Sequence, residues 1–153
     1  MSEPSLPPPE PQASEDDERI RSLLERDGWP YEKLTEDVWR TWVKTQGSTV
    51  PVVVRYDRRT GMVRFAVVPL FKSPADPAVA EPLYVRLLEL NTTMRLAKYG
   101  IDDDLDVFLS VEYPAVAMDP REFHDALEVI AHYLTAHEAE LRALVGSEIM
   151  NFS

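Results

Sequence analysis

The sequence predicts an α+β domain, an antiparallel sheet carrying helices in the order α-β-β-β-α-β-β-α. Three observations predict it. Apolar residues alternate with others through residues 50–56 and 62–68, as in paired strands with one buried face. A second alternating stretch covers residues 105–113. Elsewhere the apolar period lengthens to that of a helix, most regularly from Phe123 to Leu144.

Residues 1–14 read as a disordered, proline-rich tail. Pro4, Pro7, Pro8, Pro9 and Pro11 remove backbone donors and fix the φ angle, so neither a helix nor a central strand forms there. Pro8 and Pro11 have PxxP spacing, which proline-recognition domains read and which solvated tails also carry. A single domain then spans residues 15–146, and residues 147–153 form a second tail.

Ser14 opens the first helix, with Asp17 as its capping-box-like partner. Glu15, Asp16, Asp17 and Glu18 favour the positive helix end. Ile20, Leu23 and Leu24 make its apolar stripe, and Gly28 stops it. Val38, Trp39, Thr41, Trp42 and Val43 suit a first strand. Residues 50–56 and 62–68 pair as a hairpin across Asp57-Arg58-Arg59-Thr60-Gly61, with Val63, Phe65 and Val67 on one face.

The second helix is expected near Glu81, with Pro82 in its first turn. Leu83, Leu87, Leu90 and Met94 form its core stripe, widened by Tyr84 and Leu88, and Asn91 acts as a left-handed cap. Residues 96–101 and 105–113 make a second hairpin turning at Asp102, Asp103 and Asp104, with Leu105, Val107, Leu109, Val111 and Tyr113 on one side. Asp119-Pro120 starts the last helix. Its seam of Phe123, Leu127, Ile130, Leu134, His137, Leu141 and Leu144 has spacings of 4, 3, 4, 3, 4 and 3.

The 153 residues suit one domain with a sizeable core. Charge is the deviation: 27 Asp and Glu against 16 Lys and Arg give a net charge of −11. That field repels phosphate backbones and anionic lipids and steers in basic partners. Without cysteine there is no disulfide, thiol nucleophile or thiolate metal site. No secretory signal pattern and no membrane-spanning run is visible, which gives a cytoplasmic expectation.

Candidate chemistry is sparse. Asp102, Asp104 and Asp106 mimic the start of a calcium loop, but Val107 and Tyr113 stand where Gly and a bidentate Glu are needed. An acidic turn is the simpler reading. His124, Glu128 and His132 lie at four-residue helical steps and could present two imidazoles and a carboxylate. An exposed face with Glu–His pairs is the simpler reading. His137 sits in the seam, as a core histidine or a pH-sensitive contact. No GxSxG elbow or phosphate-cradling loop is present, and no cofactor is expected.

Arg55, Arg58, Arg59 and Arg64 concentrate positive charge at the first hairpin. They could bind an acidic peptide or pair with the acidic helices. Trp29, Trp39 and Trp42 bring large apolar area into a short span. Trp39 and Trp42 fall on opposite faces of one strand, so one can be core and the other a contact. Phe108 lies opposite Val107 and Leu109, beside Asp106 and Ser110. Trp39, Trp42, Arg58, Arg59 and Phe108 are therefore the candidate partner-binding residues.

The order of elements resembles the type III secretion chaperone fold, and more closely the YbjN-like family that shares it. The residues carrying this are Leu87-Leu88-Glu89-Leu90-Asn91, the stretch 94–101, the apolar strand 107–113, and Met118-Asp119-Pro120-Arg121-Glu122-Phe123. The match covers roughly residues 17 to 145. The resemblance implies an α+β domain, often paired into a dimer, without catalytic residues and with a partner-binding, regulatory or chaperone-like role. The expectation is a non-enzymatic, dimeric protein-binding module for an extended or partly unfolded segment. The alternatives are a metal-dependent protein or enzyme using the His124/Glu128/His132 face, and an adaptor for nucleic-acid-binding partners.

Overall fold

The computed structural model describes residue 4 and residues 15–146. The expected tails, the PxxP spacing and the Ser14 cap lie outside the described residues. The order is α1 (Glu15–Arg26), β1 (Tyr31–Thr35), β2 (Val38–Lys44), β3 (Thr49–Asp57), β4 (Met62–Lys72), α2 (Pro77–Thr93), β5 (Ala97–Ile101), β6 (Asp106–Pro114), a 3₁₀ turn (Ala115–Ala117) and α3 (Pro120–Val145). Six strands form one sheet in the order β1-β2-β3-β4-β6-β5, and every neighbouring pair is antiparallel.

The expected fold class holds, with one strand more than the sequence predicts. β1 is short and mostly exposed, and it lacks the apolar alternation that announces a strand. It pairs along the first half of β2, where Glu32 faces Arg40 and their side chains form a 2.5 Å ion pair. The β3–β4 hairpin turns at Gly61, whose φ of 71° a side chain would resist.

Alternation decides which face is buried. Trp39 and Val43, Val52 and Val54, Val63 and Phe65, and Val107 and Leu109 point to one face and are fully buried. All three helices pack against that face, and their apolar residues join these in one core. Phe65 meets Phe123 of α3 edge-on at 5.3 Å. α1 is tied down by polar contacts as well. Arg58 holds the buried Asp17 at 2.5 Å, the Tyr56 hydroxyl donates to Asp16, and Arg19 donates to the Ala115 carbonyl.

α2 starts earlier and ends later than the sequence predicts. Asp76 caps it, accepting from the Ala78 amide at 3.0 Å, with Pro77 at the first helical position. Pro82 therefore lies inside the helix, and Leu88 is on the exposed side at 66%. The helix continues through Asn91 to a Met94 cap. The Asn91 amide instead reaches β5: it donates to the Tyr99 carbonyl at 3.0 Å and accepts from the Tyr99 amide at 2.8 Å. That pair of bonds satisfies the outer edge of the sheet as a further strand would.

Leu105 is not a strand residue. It sits in the turn at φ 62°, where Asp102 accepts from the amides of Asp104 and Asp106. α3 carries a full capping box between Asp119 and Glu122, and its seam is buried except at the half-buried His137 and Leu144. No described helix is long and apolar enough to cross a membrane.

Candidate partner-binding surfaces

Because the helices cover one face only, the alternate positions of the strands form an open face. Register places Arg40, Val53, Ala66, Ser110 and Lys98 along one row and Val38, Arg55, Arg64 and Glu112 along the next. A groove of about 280 Å³ runs between Val38, Val53, Arg55, Arg64, Ala66 and Val68. Phe108 lies on this face with its ring over Gly100, where a Cβ would come within 2.3 Å of the ring. The Arg64 guanidinium sits over that ring, 4.5 Å from its centre. Arg64 also approaches Glu112 at 3.8 Å.

A second surface is concave. β1 pairs with β2 only as far as Thr41, so the segment Trp42 to Lys44 has no strand neighbour on that side among the described residues. Beside it opens a cavity of about 430 Å³ lined by Asp27, Trp29, Trp42, Lys44, His124 and Glu128, among others. Asp27 accepts hydrogen bonds from the Trp29 indole and from His124 Nδ1, the latter at 2.8 Å. The Asp27 hydrogen bond holds the His124 pKa above the ordinary histidine value, with the Asp27 charge, Glu128 and Asp125 adding to it and partial burial opposing it. Glu128 approaches the other ring nitrogen at 3.9 Å.

A third surface joins α2 to β5. Val85 (56% exposed), Leu88 and Ile101 stand out to solvent. A pocket of about 220 Å³ lies among Tyr84, Leu87, Leu88, Asn91, Tyr99 and Ile101. Behind it, His137 Nδ1 and the Tyr99 hydroxyl share a 2.7 Å hydrogen bond, and Tyr133 stacks on the imidazole. Burial lowers the His137 pKa and raises that of Tyr99. Arg86 of α2 grips Glu140 of α3 alongside, which holds the Glu140 carboxyl below its usual range.

The sequence-predicted residues fall in different places. Trp39 is only 1% exposed, which corrects its assignment as a partner contact: it belongs to the inner face, with Val43 and Val54. Trp42 reaches the concave surface and Phe108 the open face. Arg58 is engaged within the chain by Asp17 and Asp37, while Arg59 is exposed in the turn. His124 and Glu128 flank the cavity, and His132 lies exposed with its ring edge-on to Tyr133. Among the described residues, the cluster of possible metal ligands within 4.8 Å of one another is Asp102, Asp104 and Asp106, the acidic turn. Sequence reading passed over Gly100, whose isolation inside a strand was the signal of a close approach.

Residues 16–143 match the model of the YbjN family, described as "Putative bacterial sensory transduction regulator". No curated protein matches the chain. Among the solved structures that share its fold are the following three. A chain of the heterodimeric ExoU–SpcU complex, from the type III secretion system of Pseudomonas aeruginosa, superposes with a TM-score of 0.57 at 19% identity, over 83% of this chain and 98% of that one. YbjN from E. coli gives 0.59 at 13% identity, over 80% and 91%. A chain of the ExsC–ExsE complex gives 0.58 at 15%, over 88% and 97%. At these identities the likeness establishes the fold.

Proposed function

The chain belongs to the YbjN family, and from that membership and its surfaces we propose that it is a non-enzymatic, chaperone-like protein-binding module working as a cytoplasmic homodimer. The observation that carries the reading is the concave surface. There the free flank of β2 lies against two half-buried tryptophans, an arrangement suited to an extended segment of another protein. Two of the structures sharing the fold are protein–protein complexes, which supports the same reading.

The homodimer is assigned to the α2/β5 surface. Val85, Leu88 and Ile101 are apolar and solvent-facing, and Leu88 and Ile101 line an apolar pocket, as a self-complementary patch requires. The Asn91 amide already satisfies the backbone of Tyr99, so the second copy would pack side chains there and not extend the sheet at that residue.

Light scattering after size exclusion tests the dimer, at two concentrations about a hundredfold apart. The wild type is expected at twice its chain mass and Leu88→Glu at the chain mass, with unchanged circular dichroism. A wild-type monomer at both concentrations overturns the dimer. A photo-crosslinking residue at position 42 tests the partner site. A discrete adduct with one protein, lost when Trp29 is changed to Ala, is expected. Adducts indifferent to Trp29→Ala overturn the concave site.

A further inference from the structure

We propose that the open face of the sheet docks an extended, acidic segment of the partner, in which apolar side chains alternate with Asp or Glu. This rests on the partner-binding reading and adds a second surface, separate from the concave one, with the chemistry of what it binds.

The argument begins with charge. On a chain of net charge −11, carboxylates are abundant and free cations should be few. Yet Arg55 and Arg64 stand directly opposite each other on β3 and β4. Like charges in that register are unfavourable. Glu112, the next residue in the row, lies 3.8 Å from Arg64 and partly offsets one of them. Arg55 is exposed and has no ion pair among the described residues. Lys98 adds a second such cation on the same face. Arg40, by contrast, is matched by Glu32, and Arg58 at the neighbouring turn is matched by Asp17 and Asp37. Arg59 in the turn also lacks an ion pair among the described residues, but it lies outside the groove, whose lining holds Arg55 and Arg64 side by side on neighbouring strands.

Geometry adds the second half. The groove lined by these two arginines is also lined by Val38, Val53, Ala66 and Val68. A flat apolar floor with cations at its side fits a chain whose residues alternate in character. The apolar side chains would cover the valines, and because alternate side chains of an extended chain point to opposite sides, the long arginine side chains beside the groove would reach up to the carboxylates with charge-assisted bonds. Arg64 is already oriented: it stacks on Phe108, whose ring is seated on Gly100. An oriented guanidinium loses less freedom on binding than a free one. A nucleic acid would meet the same arginines but carries no apolar side chain for the groove.

The test uses the full chain and short, capped, fluorescein-labelled peptides alternating Glu with Val, Gln with Val, and Lys with Val, followed by anisotropy. The Glu–Val peptide is expected to bind on the order of tenfold more tightly than the Gln–Val peptide, and less tightly as salt is added. Arg55→Glu/Arg64→Glu is expected to lose the Glu–Val peptide and bind the Lys–Val peptide. Arg55→Gln, at an exposed position, gives a milder version should the double variant fold poorly. Equal affinity for the Glu–Val and Gln–Val peptides overturns the proposal, as does an affinity for Glu–Val unchanged in both variants. Binding that emerges only after residues 1–14 are removed also overturns it, assigning the face to the chain's own Glu3 and Glu10. A tryptophan-dependent adduct at position 42 without any preference for Glu–Val sinks this inference and leaves the partner-binding reading standing.

Discussion

Gly100→Ala tests how the open face is built. The added Cβ would stand 2.3 Å from Phe108 Cζ and 2.7 Å from Cε2, so the ring has to swing off the strand. Phe108 is half-buried, and losing its seat costs about 1 kcal/mol of burial. The Arg64 contact over the ring goes with it, worth about 0.5–1 kcal/mol at an exposed site. Against this, replacing Gly in a strand stabilises by about 0.5–1 kcal/mol through the unfolded chain. The net loss is about 0.5–1.5 kcal/mol. The sign should reverse once the ring is gone: in a Phe108→Ala background, Gly100→Ala stabilises. Urea unfolding of the wild type, both single variants and the double variant gives the coupling energy, expected at about 1–2 kcal/mol. Additivity within about 0.5 kcal/mol would show that the ring does not rest on Gly100. If coupling is found, Gly100→Ala should also weaken the Glu–Val peptide, because Arg64 loses its platform.

Asn91→Ala removes both bonds to the Tyr99 backbone and should cost about 2–3 kcal/mol in urea unfolding. Asn91→Asp keeps the acceptor and should cost less; equal losses would refute the paired geometry. Leu105 holds a left-handed φ while largely exposed, so Leu105→Asn should stabilise by about 0.5–1 kcal/mol. A lower urea midpoint would count against this. The histidines pull stability in opposite directions with pH. His124, its pKa raised by Asp27, contributes fully below the unfolded value of about 6.5 and loses that contribution as pH rises through its folded pKa. His137, its pKa lowered by burial, contributes above the unfolded value and loses that contribution as pH falls through its folded pKa. Asp27→Asn should therefore steepen the fall in Tm between about pH 7.5 and about pH 5.5, and His137→Gln should flatten it. Identical slopes in the wild type and both variants would refute the assignment.

What was legible in the sequence is what periodicity encodes. β3, β4, β6 and α3 announce themselves because each has one dry and one wet side. β1 does not, because it is largely exposed on both sides and owes its place to pairing with β2 and to Glu32 facing Arg40. The start of α2 was written in Asp76-Pro77, the same signature as Asp119-Pro120, but Pro82 offered a second plausible start and Ala78 to Ala80 give no clear period. The surfaces needed more. Parity puts Trp39 and Trp42 on opposite sides of β2, yet only the helices decide which side is dry. The arginine cluster is local in sequence, but the partner that occupies Arg58 comes from α1, 41 residues earlier. Once such distant carboxylates are assigned, the cluster divides. Arg58 is accounted for by the fold, and Arg64 only in part, through Glu112 and Phe108. Arg55 and Arg59 have no ion pair within the described chain, and of the two only Arg55 lines the apolar groove. A cation that folding leaves unmatched on an acidic protein, beside an apolar groove, is a better guide to a partner than the cluster that first drew the eye.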